Sequence, residues 1–234
     1  MKKISLVIPV YNEERVLEDS VERLYKYMLG NIKYDWTIII ANNASTDDTK
    51  EIIDKLSQRF PNVKGFHLEF KGRGNALKYA WTHYKADAYA YCDVDLATDI
   101  SHLKELFDAV LEGNNVVTGS RYLETSDSNR TIKRLVLSKG YIYLIKLFFK
   151  TNLNDFQCGF KAVDDKIVQE VLPNVKNKKW FFDTELLILA EQSGKYKIKQ
   201  IPVAWKEGKE TKVKIFKTVY SYVKNLMKLK RRLK

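Results

Sequence analysis

The chain carries the stretch AYAYCDVD at residues 88–95, in which an apolar run ends in Asp93-Val94-Asp95. Side chains on an extended strand alternate between its two faces, so the two aspartates point to one side and Val94 points into the packing. Oxygen ligands select hard cations, and Mg²⁺ is usually held by one or two carboxylates together with substrate phosphates. The stretch predicts a buried strand whose end carries a Mg²⁺ or Mn²⁺ site or, alternatively, an acidic turn.

Apolar, β-type runs alternate with helical patterns along the first half of the chain. The runs lie at residues 4–10, 36–41, 63–70, 86–92 and 115–119. Helical patterns begin at Glu13, after Asp48, after the glycines at 72 and 74, and near Ile100. This alternation predicts one α/β domain over residues 1–212, with a mostly parallel central sheet flanked by helices. The second half is less regular, and residues 132–150 predict one or two amphipathic helices.

Composition favours an ordered globular domain. The 234 residues are 45% hydrophobic, enough to bury a substantial core in one α/β domain. Cys92 and Cys158 have no zinc-type or disulfide-type spacing, which fits a reducing compartment. The first apolar run is short and is interrupted by Pro9, so it indicates a buried strand rather than a signal peptide. No segment approaches the roughly 18 uncharged residues of a membrane-spanning helix.

The positive charge is concentrated in the last segment. Of the net +12, residues 206–234 contribute 11 Lys or Arg against two Glu, a net +9, and the other 205 residues contribute +3. Residues 213–234 repeat apolar side chains at helical spacing between lysines and arginines, which predicts a basic amphipathic helix. Such a helix can lie in the interface of an anionic membrane, and its alternative is an ordinary helix packed on the domain. A charge excess in one terminal segment does not favour nucleic-acid binding.

Polar clusters follow three of the predicted strands, at Tyr11-Asn12-Glu13, at residues 42–45 and at residues 93–95. Because ligands of open α/β sheets sit beyond the carboxyl ends of the strands, these clusters are expected to meet in one pocket. Residues 72–75 lack the third glycine of a dinucleotide fingerprint, and the chain contains neither a phosphate-binding P-loop nor a nucleophile elbow. The three histidines are too scattered for a metal cluster and are predicted to be packing or surface residues.

Five motifs together resemble the family 2 glycosyltransferases of GT-A fold, a Rossmann-like fold, and most closely the polyprenyl-phosphate or dolichyl-phosphate hexose synthases. They occur in the family's order, as PVYNE at 9–13, STD at 45–47, DVD at 93–95, GSR at 119–121 and DFQCGFK at 155–161. The resemblance covers about residues 4–212. It implies metal-dependent, inverting transfer of a hexose from a nucleotide diphosphate sugar to a lipid phosphate.

The resemblance also implies site residues, with catalysis carried by Asp95, Asp93, Arg121 and Arg134. The expected groups are Asp95 and Asp93 at the metal; Pro9, Tyr11, Glu13, Asn42, Arg73 and Asp93 at the nucleotide; Arg121, Arg134, Ser138 and Lys212 at the acceptor phosphate; and Gln157 and Gly159 around the acceptor and sugar. Lys206 and Lys212 match a loop that closes over the diphosphate. Asp183 and Glu185 match an acidic segment whose role, packing or substrate contact, stays open.

Two departures from the family pattern concern the donor. The usual Asp-Asp-Gly-Ser is NNAS at residues 42–45, so a carboxylate that commonly reads the base is replaced by the amide of Asn42. Mannosyl enzymes tend to read Asp-Ala-Asp-Leu-Gln, with the Gln helping the metal, but the matching residue here is Ala97. The stretch DVDLAT is more similar to the Asp-Ala-Asp-Gly-Ala-Thr of the glucosyl branch, which favours UDP-glucose over GDP-mannose.

A phosphate acceptor has a chemical consequence that does not depend on the family. The second pKa of a phosphate monoester is near 6, so the acceptor is largely ionised at neutral pH and needs no general base. The enzyme must instead bring two anions together, for which Arg121 and Arg134 are the candidate cations. Arg134 and Ser138 lie four residues apart and would share one helix face; the alternative is a solvated charge and a packing residue.

A lipid acceptor requires the protein to reach a membrane surface. Residues 132–150 and 213–234 are therefore predicted to face the membrane, and the chain is expected to associate peripherally with the cytoplasmic face of an anionic membrane. Two other functions stay open at this point. One is a family 2 transferase that acts on a hydroxyl acceptor, which would require a carboxylate base. The other is a non-catalytic module that binds membrane or nucleic acid.

Overall fold

The computed structural model describes residues 1–129, 131–206 and 215–233, and describes the backbone alone at 129, 132–134 and 215–219. The first half alternates strands and helices, as predicted. The strands are β1 (Lys3–Val10), β2 (Asp35–Asn43), β3 (Val63–Leu68), β4 (Ala88–Cys92) and β5 (Val116–Ser120); the helices are α1 (Leu17–Asn31), α2 (Thr49–Arg59), α3 (Arg73–His83) and α4 (Leu103–Leu111).

The described part of the second half adds four strands and three helices. In chain order they are β6 (Ser128–Asn129), α5 (Ile132–Phe148), β7 (Phe160–Asp164), α6 (Phe182–Gln192), β8 (Ile198–Pro202), β9 (Trp205–Lys206) and α7 (Ile215–Arg232). A π-helical turn and a 3₁₀ turn occupy the chain between β7 and α6. The region predicted as one or two amphipathic helices is thus the single helix α5.

Seven strands form one sheet in the order β3-β2-β1-β4-β7-β5-β8. The pairs β2/β3, β1/β2, β1/β4 and β5/β8 are parallel, and only β7, among the described strands of this sheet, runs antiparallel to its neighbours β4 and β5. The prediction of a mostly parallel sheet flanked by helices is confirmed. The insertion of β7 was not predicted, and it sets the chain just before Phe160 beside the end of β4.

Both faces of the sheet are covered, which explains why its central strands are apolar throughout. In β1, Leu6 packs with the helices α1, α2 and α4, and Val7 packs in a second cluster with α3 and α6. Helix α1 begins at Leu17 rather than at the predicted Glu13. A hydrogen-bonded turn precedes it, in which the Val16 and Leu17 N–H groups donate to the Glu13 carbonyl at 3.2 and 3.0 Å.

Helices α5 and α7 pack together on the α6 side of the sheet. Their inward side chains include Tyr141 and Ile145 from α5 and Leu226 and Leu229 from α7, all of them buried in the second core cluster. Within the described ranges, no helix combines the length and apolar character needed to cross a bilayer.

Candidate active site

Asp93 directly follows β4 and lies against Gly159, which directly precedes β7. The two strands are antiparallel with Cys92 opposite Phe160, and the Asp93 N–H donates to the Gly159 carbonyl at 3.1 Å. A methyl group on Gly159 would come within 1.7 Å of Asp93 Oδ2. The Asp93 carboxylate can therefore occupy this position only because residue 159 has no side chain.

Arg73 reaches Asp93 from the first turn of α3. Its Nη2 lies 2.7 Å from Asp93 Oδ1, and its guanidinium lies 5.0 Å from the ring centroids of both Tyr91 and Trp180. Burial would lower the pKa of Arg73, but the Asp93 carboxylate raises it above its ordinary value. Burial raises the pKa of the Asp93 carboxyl, and Arg73 opposes that rise. Arg73 is thus a fixed cation beside Asp93, held between two aromatic rings.

The glycines on either side of Arg73 allow α3 to begin close to the chain before α6. A Cβ on Gly72 would lie 2.5 Å from the Lys178 carbonyl oxygen, and one on Gly74 would lie 2.8 Å from the side chain of Phe182. The Gly-Arg-Gly sequence, which does not form a dinucleotide fingerprint, serves here to bring a guanidinium to the end of β4.

A buried ionic cluster lies beneath this pair. Lys161 on β7 is fully buried; its Nζ donates to the Cys158 carbonyl at 3.0 Å and lies 3.5 Å from Asp183 Oδ1. The Tyr91 hydroxyl donates to the same Asp183 oxygen. Burial and the Asp183 carboxylate raise the pKa of Tyr91 well above its ordinary value. Asp183 is therefore held between a lysine and a tyrosine.

Glu185, two residues further along α6, is also engaged. Its Oε2 accepts the N–H of Asn177 at 2.7 Å, and its Oε1 accepts from the Arg232 guanidinium of α7. Glu185 is buried. Both acidic residues of the segment whose role was left open thus make structural contacts.

Asp95 is the more accessible carboxylate of the strand-end pair. Val94 is buried while Asp95 is exposed, and Asp95 Oδ1 accepts the Ala97 N–H at 3.1 Å in a turn whose Leu96 has a φ of 50°. Within the described part of the chain, no cluster of three or more His, Cys, Asp or Glu side chains could hold a metal. Two carboxylates fit a hard cation such as Mg²⁺ or Mn²⁺ whose other ligands are phosphate and water oxygens.

The loops after β1 and β2 are bound to each other. The Asn12 N–H donates to Ser45 Oγ at 3.0 Å, and the Glu13 N–H donates to the Thr49 hydroxyl at 2.9 Å. The Asn12 side-chain oxygen accepts the Thr46 N–H at 2.8 Å. Of the three clusters predicted to meet in one pocket, the two that follow β1 and β2 are thus in direct contact.

Pro9, Tyr11 and Asn42 occupy these two strand ends. Pro9 lies in β1, partly buried, and Asn42 lies buried near the end of β2. Lys71 donates to the Tyr11 hydroxyl and sits 4.1 Å from the centroid of its ring. This hydrogen bond lowers the pKa of Tyr11. The half-buried Tyr11 and the exposed Lys71 together form an aromatic and cationic edge beside Gly72 and Arg73.

Arg121 follows β5 and forms a bidentate ion pair with Asp155. Its Nε and Nη2 lie 2.7 and 2.9 Å from the two carboxylate oxygens, and its backbone N–H donates to the same carboxylate at 3.2 Å. Burial alone would raise the pKa of Asp155, but the Arg121 guanidinium holds it below its ordinary value. The Gln157 N–H donates to Asp155 Oδ1 at 3.0 Å. One buried carboxylate thus joins Arg121 to the loop that carries Gln157 and Gly159.

The remaining predicted residues are spread around this centre. Ser138 lies part-buried on α5, and Lys206 is drawn toward the metal-side turn because its N–H donates to the Ala97 carbonyl at 2.8 Å. The side chain of Arg134 and the whole of Lys212 fall outside the described residues. Sequence reasoning did not assign Asp155, Lys161 or Tyr91 to the site, although the first two lie within the motif DFQCGFK.

The model of glycosyl transferase family 2 matches residues 5–172. The chain belongs to this family. The match extends from β1 to the turns that precede α6, so it includes the strand-end aspartates, Arg73, Arg121 and Lys161.

Two curated relatives illustrate the sequence similarity. The chain is 34% identical over 220 residues to "Glycosyltransferase AglD" of Haloferax volcanii, covering 93% of this chain and 35% of the relative. It is 30% identical over 223 residues to "Dolichyl-phosphate beta-glucosyltransferase ALG5C" of Trichomonas vaginalis, covering 90% of this chain and 66% of the relative. The chain therefore spans about a third of the first and about two thirds of the second.

The fold is shared with a crystal structure of glucosyl-3-phosphoglycerate synthase from Mycobacterium tuberculosis in complex with Mn²⁺ and UDP-glucose. The TM-score is 0.67 at 14% sequence identity, covering 96% of this chain and 79% of that protein. The likeness places this chain in the same GT-A fold.

Proposed function

We propose that this protein transfers glucose from UDP-glucose to a polyprenyl or dolichyl phosphate, with inversion, at the cytoplasmic surface of a membrane. Family membership supports the reaction class. The name of the ALG5C relative supports glucose, a β-linked product and a dolichyl phosphate acceptor. Forming a β-linked product from an α-linked nucleotide sugar is inversion. The residue roles below are part of this proposal.

The observation that carries the proposal is the pairing of the two acidic side chains in the first turn of α6, Asp183 and Glu185. Asp183 is held by Lys161 and Tyr91, and Glu185 by Arg232 and the backbone of Asn177. A hydroxyl acceptor would require a carboxylate base that is available to take up its proton, whereas a phosphate acceptor arrives ionised. Asp183 and Glu185 are each already paired with a cation of the protein, Lys161 and Arg232 respectively, which favours the phosphate acceptor over the hydroxyl acceptor that the sequence left open.

At the donor, Asp95 and Asp93 would hold Mg²⁺ or Mn²⁺, which supplies Lewis-acid stabilisation of the leaving diphosphate when bound. Arg73 neutralises Asp93 and keeps its carboxylate in one orientation. Pro9, Tyr11, Glu13 and Asn42 belong to the two joined strand-end loops and would line the nucleoside pocket.

At the acceptor, Arg121, Arg134, Ser138 and Lys212 would bind the phosphate, next to Gln157 and Gly159. A guanidinium has five N–H donors, and two of those of Arg121 bind Asp155. The ion pair with Asp155 fixes the plane of the Arg121 guanidinium. Its remaining N–H donors are therefore already oriented, and the side chain would lose little conformational entropy on binding a phosphate.

Membrane association is supported by the outward faces of α5 and α7. Large apolar side chains are exposed there, among them Val136, Tyr143 and Leu147 on α5 and Tyr220 and Met227 on α7. Lys224 and Lys228 are exposed on α7, and each lysine near an anionic surface contributes about 1 kcal/mol. Replacing both lysines by glutamate is expected to weaken binding to vesicles of anionic lipid. Unchanged flotation of the variant would count against this face as the membrane contact.

The decisive test of the reaction is a donor and acceptor panel. The protein is incubated with Mn²⁺ or Mg²⁺, a polyprenyl phosphate, and UDP-glucose, GDP-mannose or other nucleotide sugars, and the lipid product is identified by mass. We expect a hexosyl phospholipid with UDP-glucose, abolished by chelation of the metal and by Asp95→Asn. A product formed with GDP-mannose alone would refute the donor, and transfer only to a polyprenyl alcohol would refute the acceptor.

A further inference from the structure

The side-chain amide of Asn42 has one orientation, fixed by its neighbours. Asn42 is 3% exposed; its Oδ1 accepts the Ser45 N–H at 3.0 Å, and its Nδ2 lies 3.0 Å from His67 Nδ1. A backbone N–H can only donate, so the amide oxygen must face Ser45 and the amide nitrogen must face His67.

This orientation determines the tautomer of His67. Because Asn42 Nδ2 is a donor, His67 Nδ1 must be the acceptor, and the proton of the neutral ring then resides on Nε2. Nε2 lies 3.1 Å from Asp54 Oδ1 on α2 and can donate to it. His67 is directly opposite Asn42 in the β2/β3 register. The three side chains therefore form a directional chain from a surface carboxylate to a buried amide.

The chain continues into the loop that carries Tyr11 and Glu13. Ser45, whose N–H is bound by Asn42, accepts the Asn12 N–H at its hydroxyl at 3.0 Å. Asn12 adopts the left-handed conformation with a φ of 54°, which Asn tolerates better than most non-glycine residues, and both its N–H and its side-chain oxygen are bound by the loop after β2.

We infer that His67 is a positioning residue for the nucleotide pocket. Acting through Asn42 and Ser45, it holds the loop of Tyr11 and Glu13 in its binding conformation. This rests on the proposed function, since that loop is part of the proposed UDP-sugar site. It also gives a structural reason for an amide at position 42: a carboxylate there would need a proton on His67 Nδ1, and His67 could then keep its Nε2 hydrogen bond to Asp54 only as a charged imidazole.

The test is binding of UDP with Mn²⁺ by titration calorimetry, in the absence of acceptor, so that no turnover occurs. His67→Phe retains a ring but leaves the buried Asn42 amide N–H without an acceptor, and we expect UDP binding about tenfold weaker. His67→Asn places a carbonyl oxygen near the position of Nδ1 and is expected to restore most of the affinity. His83→Phe, on α3 and outside the chain of contacts, is the matched control and should bind as the wild type does.

The outcomes separate this inference from the proposed function. Wild-type protein that binds GDP but not UDP would overturn the proposed donor and this inference with it. Wild-type binding of UDP that is equalled by His67→Phe would overturn the role of His67 alone. As an independent readout, ¹⁵N NMR should show the neutral His67 ring with its proton on Nε2. A proton on Nδ1 in the neutral ring would contradict the inferred chain.

Discussion

Replacing Gly159 by alanine is expected to remove most of the transferase activity, because the new methyl group would occupy the space of the Asp93 carboxylate. Its Cβ would lie 1.7 Å from Asp93 Oδ2 and 2.3 Å from Cγ, whereas real Cβ contacts remain above 3.0 Å. The carboxylate must therefore retreat by about 1.3 Å. The backbone cannot yield easily, because the Asp93 N–H donates to the Gly159 carbonyl at 3.1 Å at the start of the β4/β7 pairing.

The size of the effect follows from that displacement. A misplacement of about 1 Å in a catalytic group can cost about 10²-fold in rate, or roughly 2.7 kcal/mol of activation free energy. The assay is the initial rate of glycolipid formation at saturating UDP-glucose and polyprenyl phosphate, with Mn²⁺ varied. We expect a rate about 100-fold lower and weaker activation by Mn²⁺, since the displaced residue belongs to the proposed metal pair.

Gly30→Ala provides the control, because a Cβ at Gly30 would meet no atom within 4 Å. It adds the same methyl group in α1 and is expected to retain wild-type activity. Thermal unfolding of both variants separates misfolding from misplacement of Asp93. Gly159→Ala with near wild-type turnover would refute the reasoning, since it would mean that the position of Asp93 does not limit catalysis.

Three further predictions concern stability. Leu226→Ala on α7 should lower the free energy of unfolding in urea by about 2–5 kcal/mol, while the neighbouring, exposed Met227→Ala should change it by less than about 0.5 kcal/mol; equal effects would mean that α7 is not docked. Lys161→Met should cost about 3–5 kcal/mol by leaving Asp183 as an unpaired buried charge, and adding Asp183→Asn should recover much of that loss. Because the pKa of Asp155 is depressed in the folded state, the ionised carboxylate stabilises the fold fully above its ordinary pKa of about 4, and this stabilisation is lost as the pH falls through the folded value. Asp155→Asn should therefore reduce the loss of stability at acid pH in a curve of unfolding free energy against pH. An unchanged acid limb of that curve would contradict the pairing.

The sequence predicts those parts of the site that depend on local pattern. Asp93 and Asp95 could be predicted because the strand and the two aspartates that follow it lie within eight consecutive residues. The contact between the loops after β1 and β2 could be predicted because neighbouring parallel strands end at the same edge of a sheet. The contact between Asp93 and Gly159 is different. It requires β7 to run antiparallel between β4 and β5, a pairing of distant segments for which hydrophobic periodicity carries no signal.

Partners of buried charges are equally hidden from sequence reasoning. From the sequence, Arg121 is predicted to bind the acceptor phosphate. In the structure it forms a bidentate pair with Asp155, which lies 34 residues further along the chain. Lys161 lies in the motif DFQCGFK, which gave it no role, and it is fully buried. Lysine is almost never buried unless it is paired, but the pairing with Asp183 arises from the packing of α6 on the sheet. Arg121, Asp155 and Lys161 belong to two of the five sequence motifs, but their roles depend on tertiary contacts.

The final helix shows why the two interpretations of the basic tail are compatible. Its inward leucines, Leu226 and Leu229, are part of the core beside α5 and α6, and Arg232 binds Glu185 and the Asn174 carbonyl. Lys224, Met227 and Lys228 are exposed on its other side. A helix fixed on one side and basic on the other would hold the domain against an anionic surface in one orientation. Deleting the helix would therefore disturb the fold and the surface together, so only charge changes on the outer face can isolate its contribution to membrane binding.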